Sequence, residues 1–244
     1  MNIIKVSIPS QDITEQINFI VEKQNKERAL PLYFDFDDEC CIYYLCYDNE
    51  KLMSVLALFE IDTDIYEAIA YTDTAHRKKG YFKSLLNYIN DDLPSDIEIS
   101  FLCDRKYPPA VKTSKKLSLI YDCTETMMVL DLYTYKSEKH PDIKILKEDD
   151  IFYIYYKEDE IGSFYFDKFS NDADDIYFHN FIIYEEYRNR GLGKLSMKAI
   201  LDFLKVLGKS KIHLQLLLEN TPAYKIYTEL GFRIVNEISY YKKY

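Results

Sequence analysis

The sequence lacks the features that mark several large classes of protein. Tryptophan is absent, no apolar run reaches the length of a membrane span, and the five cysteines include no C-x-x-C pair. A transmembrane helix needs about 20 predominantly apolar residues, so no crossing of a membrane is predicted. The segment from Met1 to Pro9 also lacks the long hydrophobic core of a signal peptide. We therefore expect a cytoplasmic protein without a membrane partner.

Metal-binding patterns are missing as well. The cysteines are odd in number, and the four histidines are scattered along the chain at His76, His140, His179 and His213. A zinc site needs ligands at short characteristic spacings, and a disulfide framework needs paired cysteines. The sequence predicts neither.

Positive charge is also scarce. Lysine and arginine together number 31 against 41 aspartates and glutamates, which gives a formal net charge of -10. Non-specific binding of nucleic acid depends on a basic surface, so a nucleic-acid partner is not expected. An acidic chain is compatible with cationic substrates such as amines. The oligomeric state is left open.

The most informative stretch joins a strand to a helix. Residues Ile176 to Ile183 are rich in aromatic and β-branched side chains, which is typical of a strand. Apolar residues then recur at helical spacing from Leu192 to Leu207, and Gly208 is placed to end that helix. The turn between them reads Arg188-Asn189-Arg190-Gly191-Leu192-Gly193-Lys194.

This turn has the chemistry of an anion site. The first N–H groups of a helix have no partner inside the helix, and its N-terminus carries partial positive charge. Gly191 and Gly193 allow the backbone to approach a phosphate without a Cβ in the way. Arg188, Arg190 and Lys194 add side-chain charge. We interpret the turn as a diphosphate site; the alternative is a turn that only connects the strand to the helix.

Two familiar phosphate loops do not fit. A Walker loop needs four residues between its first glycine and Gly-Lys-Ser/Thr, and this spacing is missing. A dinucleotide-binding fingerprint needs a third glycine where this chain has Ser196, and Glu219 lies late for the acidic residue that holds a ribose. The diphosphate therefore belongs to a different kind of ligand.

The same order of elements occurs twice. In the first half, strand-like residues Cys41 to Tyr47 and Lys51 to Ile61 are followed by a second, weaker glycine turn. Arg77 and Gly80 of that turn correspond to Arg188 and Gly191. A repeat this long indicates a domain duplication, because solenoid periods are roughly 20–50 residues. We predict an N-terminal domain at 1–132, a linker at 133–142 and a C-terminal domain at 143–244.

A short helix is predicted after the next strand of the second half. Thr221 is a favourable N-cap, Pro222 is tolerated at the first helical position, and Gly231 suits the end of the helix. Asn220 precedes this helix, Tyr227 lies within it, and Phe232 follows Gly231.

The two segments together resemble the GNAT-type N-acetyltransferase superfamily. Its first signature is Arg-x-x-Gly-x-Gly, here Arg188 to Gly193, and its second is an Asn before a short helix, a Tyr within it and Gly-Phe after it. The likeness covers roughly 176–240 well and 40–130 more weakly. It implies two tandem α/β (α+β) domains, each a mixed, mostly antiparallel, twisted sheet flanked by helices.

The resemblance also implies roles for individual residues. The backbone of the turn from Arg188 to Lys194 holds the diphosphate of acetyl-CoA. Ile182 and Ile183 pair with the pantetheine chain, and Asn220 forms a hydrogen bond with it. Tyr227 protonates the departing thiolate, while the amine attacks the acyl carbon directly. The alternatives are a helix cap for Asn220 and a core side chain for Tyr227.

The residue that deprotonates the ammonium is not specified by the resemblance. His179 on the central strand and Glu185 or Glu186 after it are the candidates, although a histidine in a strand is often structural.

The N-terminal copy is degenerate. Phe82 replaces the second glycine of the turn. When Ala110 is aligned with Ala223, Tyr107 takes the place of the Asn and Ser114 that of the Tyr, and a serine hydroxyl does not replace a phenol as an acid. We therefore predict that the C-terminal half is the active one and that the N-terminal half has a structural or substrate-shaping role; the alternative is activity in the N-terminal half.

The function predicted from the sequence is acyl transfer, most simply of acetyl, from CoA to a primary amine of a small molecule, peptide or protein. The alternative is a catalytically silent CoA-binding or protein-binding module with the same fold.

Overall fold

The chain divides into two compact units. The computed structural model describes residues 1–28, 33–34, 36, 40–94, 96–169 and 172–242. The first unit is Met1–Cys123 together with Ile238–Tyr244, and the second is Thr124–Glu237. The domain bounds suggested by the sequence stay a prediction; residues 133–142 lie inside the second unit, between two strands.

Twelve strands, five α-helices and two short 3₁₀ helices are assigned in the described residues. The strands are β1 (Asn2–Val6), β2 (Cys41–Asp48), β3 (Lys51–Asp62), β4 (Ile65–Thr72), β5 (Glu98–Asp104), β6 (Ile120–Asp131), β7 (Ile143–Glu148), β8 (Ile151–Tyr156), β9 (Asp159–Lys168), β10 (Asp175–Ile183), β11 (Lys211–Leu217) and β12 (Arg233–Lys242). The helices are α1 (Gln11–Asn25), α2 (Tyr81–Asp92), α3 (Pro108–Lys116), α4 (Leu192–Val206) and α5 (Thr221–Glu229). Short 3₁₀ helices occupy Thr74–His76 and Glu185–Tyr187. No described helix has the length and apolar character that crossing a membrane requires.

The first unit has helices on both faces of its sheet. Its strand order is β1-β2-β3-β4-β5-β12, and β12 enters it through its last residues, which run antiparallel to β5. Tyr43 and Leu45 pack in the core cluster that contains α1, whereas Tyr44 and Cys46 pack in the cluster that contains α2. Because successive side chains of a strand point to opposite faces, a strand covered on both sides reads as continuously apolar, as β2 does.

The second unit has one core cluster among its described residues. Its strand order is β6-β11-β10-β9-β8-β7, and α4 and α5 both contribute to that cluster. Ile176 and Phe178 of β10 point into it. Tyr177 and His179 alternate with them and therefore lie on the opposite face of the sheet.

Both units contain one pair of parallel strands at corresponding places. In the first unit β4 runs parallel to β5, and in the second β10 runs parallel to β11. All other strand pairs with an assigned register are antiparallel, so each sheet is mixed but mostly antiparallel.

The helix ends follow from local backbone chemistry. Gly191 precedes α4 at φ 75°, and Gly208 follows it at φ 79°, a left-handed conformation that glycine adopts without steric cost. The N-cap of α5 is Asn220, whose Oδ1 accepts a hydrogen bond from the N–H of Ala223 at 3.3 Å. Thr221 is the first helical residue, so the N-cap expected at Thr221 lies one residue earlier.

Candidate active site

A cleft opens where the two parallel strands of the second unit diverge. Pairing between β10 and β11 ends at Phe178–Leu214, although β10 continues to Ile183 and β11 to Leu217. The ends of the strands carry exposed apolar side chains: Ile182 is 47% and Leu217 46% exposed. A cleft with apolar walls and unpaired backbone groups suits an extended ligand that carries both amides and methylene groups.

A β-bulge turns the end of β10. His179 pairs with Tyr165 and Ile182 with Ser163, so β10 has one residue more than β9 over this interval. Asn180 adopts φ 51° within the bulge. Gly162 makes the close approach possible, because a Cβ there would lie 2.1 Å from the carbonyl oxygen of Ile182. Gly162 belongs to no sequence motif, so its role was not predicted.

The glycine turn brings three elements together. A Cβ on Gly193 would lie 3.5 Å from Cδ1 of Ile226 on α5 and 3.7 Å from Cγ1 of Ile183 on β10. The start of α4, the end of β10 and α5 thus meet around Gly193. Gly191 has open space around its missing Cβ, so its positive φ rather than crowding requires glycine there.

The cationic side chains of the turn have partners within the protein. Nε of Arg188 donates to the carbonyl oxygen of Ile183 at 2.8 Å, which fastens the turn to the end of β10. Lys194 forms an ion pair with Glu229 at 2.7 Å, and the Arg190 guanidinium lies 5.7 Å from the ring centre of Tyr187. The neighbouring Asn189 adopts φ 59°, and Leu192 is buried in the core. Lys194 is thus engaged by Glu229, whereas the backbone N–H groups and the guanidinium groups of Arg188 and Arg190 are the anion donors that this turn offers.

Asn220, which caps α5, and Tyr227, which lies within it, have different surroundings. Asn220 is exposed and caps the helix with its side-chain oxygen, which leaves the NH₂ group as the part of the side chain that can donate to a ligand. Tyr227 is 6% exposed and packs against Phe232. Burial raises the pKa of the Tyr227 phenol well above its usual range, so the hydroxyl stays protonated at neutral pH.

The candidate bases lie in two places. Nε2 of His179 is 2.8 Å from Oδ2 of Asp167 on the neighbouring strand, and its ring stacks between Tyr165 and Tyr177. Glu185 and Glu186 are exposed in the 3₁₀ helix that follows β10. The carboxylate of Asp167 orients the imidazole, which is the arrangement that a histidine base needs. Asp167 had no signal in the sequence, because its contact with His179 depends on strand register.

The corresponding place in the first unit is filled by side chains. Pairing between β4 and β5 also stops early, at Ala68–Phe101. There the N-cap of α3 is Tyr107, whose hydroxyl accepts a hydrogen bond from Arg77 at 2.6 Å and donates one to Glu27 at 2.9 Å. The Arg28 guanidinium lies 4.7 Å from the ring centre of Tyr71 and 4.9 Å from that of Tyr107. We call these five residues, Glu27, Arg28, Tyr71, Arg77 and Tyr107, the Tyr107 cluster.

The fold has counterparts among solved structures. Two solved structures match nearly the whole chain. The first is a GCN5-related N-acetyltransferase from Sphaerobacter thermophilus, with a TM-score of 0.70, 10% identity and coverage of 99% of this chain and 95% of that one. The second is a tandem GNAT protein from the clavulanic acid biosynthesis pathway, with a TM-score of 0.67, 10% identity and coverage of 99% of this chain and 98% of that one. The fold is that of tandem GNAT proteins. The predicted fold class is confirmed.

The sequence comparisons point to the same kind of protein. Residues 119–232 match the model of the acetyltransferase (GNAT) family, a segment that makes up a little less than half of the chain. A curated relative, the spermine/spermidine N(1)-acetyltransferase of Bacillus subtilis (strain 168), is 30% identical over 93 residues, which are 36% of this chain and 61% of the relative. The chain thus spans about three fifths of that relative's length. The resemblance seen in the sequence is confirmed.

Proposed function

We propose that this protein transfers an acyl group, most simply acetyl, from acetyl-CoA to a primary amine in the cleft of the second unit. The observation that carries the proposal is the open divergence of β10 and β11 beside the glycine turn. The match of residues 119–232 to the GNAT family model supports acyl-CoA as donor, and the name of the B. subtilis relative makes a polyamine the first acceptor to test.

The donor is held by backbone groups in this proposal. The free N–H groups at the start of α4 face the diphosphate, with the positive end of the helix dipole adding to the attraction. Exposed Ile182 and half-buried Ile183 line the path of the pantetheine chain, and Asn220 donates to it through its NH₂ group. Backbone N–H groups at the end of β10 polarise the thioester carbonyl.

Chemistry then removes two protons from the nitrogen and returns one to the sulfur. His179, oriented by Asp167, accepts the first proton from the substrate ammonium, directly or through water; Glu185 is the second candidate base. The neutral amine attacks the carbonyl carbon and the C–N bond forms. The nitrogen then gives up its second proton to water as the C–S bond breaks, and the leaving CoA thiolate takes a proton from water to become the thiol. Tyr227 donates to the departing sulfur. A thiol has a pKa near ~8.5 and a phenol one near ~10, so full proton transfer from Tyr227 is uphill, and burial of this phenol makes it more so. The hydroxyl therefore acts mainly as a hydrogen-bond donor to the thiolate.

Calorimetric titration of acetyl-CoA tests the site. Gly191→Glu places a carboxylate against the proposed diphosphate, and like charges about 4 Å apart repel by about 4 kcal/mol at an effective dielectric constant near 20. We expect micromolar binding by the wild type and a loss of at least about 100-fold in this variant. Gly80→Glu is the matched control, because Gly80 has the same left-handed conformation and the same open surroundings in the first unit.

The outcomes are distinct. Equal weakening by both variants assigns the effect to backbone strain, and loss only in Gly80→Glu moves the donor site to the first unit. A folded wild type that does not bind acetyl-CoA contradicts the proposal. Mass spectrometry after incubation with acetyl-CoA and spermidine then shows whether an acetyl group is added to the amine.

A further inference from the structure

A carboxylate lies immediately beside the end of β10. Oε1 of Glu160 accepts a hydrogen bond from the hydroxyl of Tyr184 at 2.6 Å, and Oε2 accepts one from that of Tyr155 at 3.1 Å. We call Tyr155, Glu160 and Tyr184 the Glu160 site. Both carboxylate oxygens are therefore held in a fixed orientation by neutral donors.

The position of this site follows from strand pairing. Ile183 pairs with Gly162, and the N–H of the next residue, Tyr184, donates to the carbonyl oxygen of Ile161 at 2.9 Å. Glu160 directly precedes Ile161. Glu160 is thus one residue away from the last backbone hydrogen bond between β9 and the segment that follows β10. Its carboxylate is therefore next to the end of β10 at which the thioester is proposed to bind.

Among the described residues, Glu160 has no assigned ion pair with a cationic side chain. Its two assigned hydrogen bonds come from the phenol groups of Tyr155 and Tyr184. The first unit shows the contrast. There Asp73 directly follows β4, just as Tyr184 directly follows β10. The N–H of Asp73 donates a hydrogen bond to the carbonyl oxygen of Met53, which corresponds to the hydrogen bond from Tyr184 to Ile161. The carboxylate of Asp73 is contacted by three cationic or titratable groups, Lys23, Lys51 and His76.

The surroundings of Glu160 favour a cation. The hydrogen bond to Glu160 raises the pKa of Tyr184 to about 12, and burial followed by the Glu160 hydrogen bond raises the pKa of Tyr155. Burial, and then the charges of Glu148 and Glu160, raise the pKa of Tyr153. The phenols stay neutral, so the site keeps one net negative charge next to aromatic rings. Carboxylates and aromatic faces are the groups that bind an alkylammonium ion.

We propose that Glu160, positioned by Tyr155 and Tyr184, binds an ammonium group of the acceptor that is not the reacting one. This inference deepens and rests on the proposed amine acyltransfer at the end of β10. The reacting nitrogen has to lose its proton before attack, whereas a nearby carboxylate stabilises the charged form of an amine. Glu160 therefore suits a second nitrogen that keeps its proton throughout the reaction. The acceptor is accordingly a diamine or polyamine rather than a monoamine.

The test compares 1,4-diaminobutane with butylamine, which has the same carbon chain and lacks the second charge. A hydrogen bond to a charged group contributes enough affinity that its loss weakens binding by about 10–100-fold. We expect Glu160→Gln to raise the KM and the calorimetric Kd for 1,4-diaminobutane by that factor. The kcat/KM for butylamine should stay within about twofold of the wild-type value. Tyr184→Phe should show a smaller effect of the same kind.

Glu158→Gln is the matched control. Glu158 is exposed in the turn between β8 and β9, so this variant removes the same charge two residues away and should leave both amines unaffected. Acetyl-CoA titration and circular dichroism check that each variant is folded.

Several outcomes overturn the inference: an equal loss for both amines, unchanged binding of 1,4-diaminobutane in Glu160→Gln, the same loss in Glu158→Gln, or no binding of 1,4-diaminobutane by the wild type. Failure of the proposed function is separable, because a wild type that binds 1,4-diaminobutane through Glu160 but acetylates no amine contradicts the acyltransfer and not the cation site.

Discussion

The regions that follow β4 and β10 have the same arrangement of backbone elements, and they differ in the side chains that occupy the space between the diverging strands. Each has a parallel strand pair that separates early, a 3₁₀ helix, and a glycine at positive φ before a helix. Ile182, at the end of β10, is 47% exposed, whereas Tyr71, at the equivalent place on β4, is 1% exposed. The same strand divergence is thus an open cleft in one unit and a packed interior in the other.

The side chains at the helix cap make that difference. Asn220 is short and exposed, and it uses its oxygen within its own helix. Tyr107 is 5% exposed and reaches back to Glu27 and Arg77. The two cap residues thus differ in size, in burial and in the partners that they contact. The following predictions test this contrast, beginning with the largest effect.

The largest effect is expected from Tyr227→Phe. A positioned hydrogen-bond donor to developing negative charge contributes roughly 10²–10³ to a rate, so kcat should fall by that factor if Tyr227 donates to the leaving sulfur. The change removes one oxygen and keeps the ring packed against Phe232, so the fold should persist. Steady-state kinetics with acetyl-CoA and spermidine measure the effect.

Ser114→Ala is the matched control, because Ser114 occupies the equivalent buried position on α3. Its kcat should equal that of the wild type. A decrease below about threefold in Tyr227→Phe would assign Tyr227 to the core and leave the cleft without this donor.

The next effect is on stability and concerns the Tyr107 cluster. Tyr107→Asn gives the first unit the cap residue of the second and removes the contacts of the phenol with Arg77, Glu27 and the Arg28 guanidinium. We expect a loss of about 2–4 kcal/mol in the free energy of unfolding, since buried polar partners are left behind. Urea denaturation measures it.

The reverse substitution completes the exchange. Asn220→Tyr should cost only about 1 kcal/mol, the typical value of an N-cap, but it should weaken acetyl-CoA binding strongly by filling the cleft. If Asn220→Tyr binds acetyl-CoA as well as the wild type does, the contrast between the two helix caps has no functional meaning.

The third effect depends on pH and concerns Asp73. Burial alone would raise the pKa of this carboxyl group, but hydrogen bonds from Lys23, His76, the N–H of Ala75 and Lys51 hold it well below its usual range. A depressed pKa stabilises the fold above the unfolded value of about 3.9, and that stability is lost as the pH falls through the folded value. Asp73→Asn should therefore destabilise the protein by about 1–3 kcal/mol at pH 7.

The difference between wild type and Asp73→Asn should shrink below about pH 4 and approach zero under strongly acidic conditions. Thermal unfolding across the acid range measures it. Asp64→Asn, at an exposed turn of the same unit, should show no such pH dependence. A destabilisation that stays constant with pH would mean that packing rather than charge explains the effect.

The sequence allowed the framework to be predicted because its signals are local. The hairpins β2–β3 and β8–β9 and helix α4 follow from alternation, turn residues and helical spacing, and the two glycine turns identify the duplication. Strand β12 was not predicted. Its last residues pair with Ser100–Asp104, far away in the sequence, and no local pattern carries that information.

The site was predicted only in part for the same reason. The residues of the turn, Asn220 and Tyr227 belong to sequence motifs, and their proposed roles stay predictions. The contacts His179–Asp167 and Glu160–Tyr184 depend on register between strands and on the bulge at Asn180. A single inserted residue changes which side chains are neighbours, so spacing along the chain does not reveal them.

The smallest effect is expected from Gly193→Ala, at the position where the first unit has Phe82. An added Cβ would make ordinary contacts with Ile226 and Ile183, and the φ of Gly193 is not positive. Replacing glycine by alanine at a compatible position reduces the entropy of the unfolded chain, so stability should rise by about 0.4–1 kcal/mol. Because the methyl group points toward Ile183 and Ile226, acetyl-CoA affinity should change by less than about threefold if backbone N–H groups hold the diphosphate.

Gly193→Phe copies the first unit, and its ring cannot fit between those two isoleucines without closing the gap between α5 and the end of β10. Calorimetry should therefore show a far larger loss of acetyl-CoA affinity for Phe than for Ala, and equal affinities for the two variants would contradict a ligand path beside Gly193.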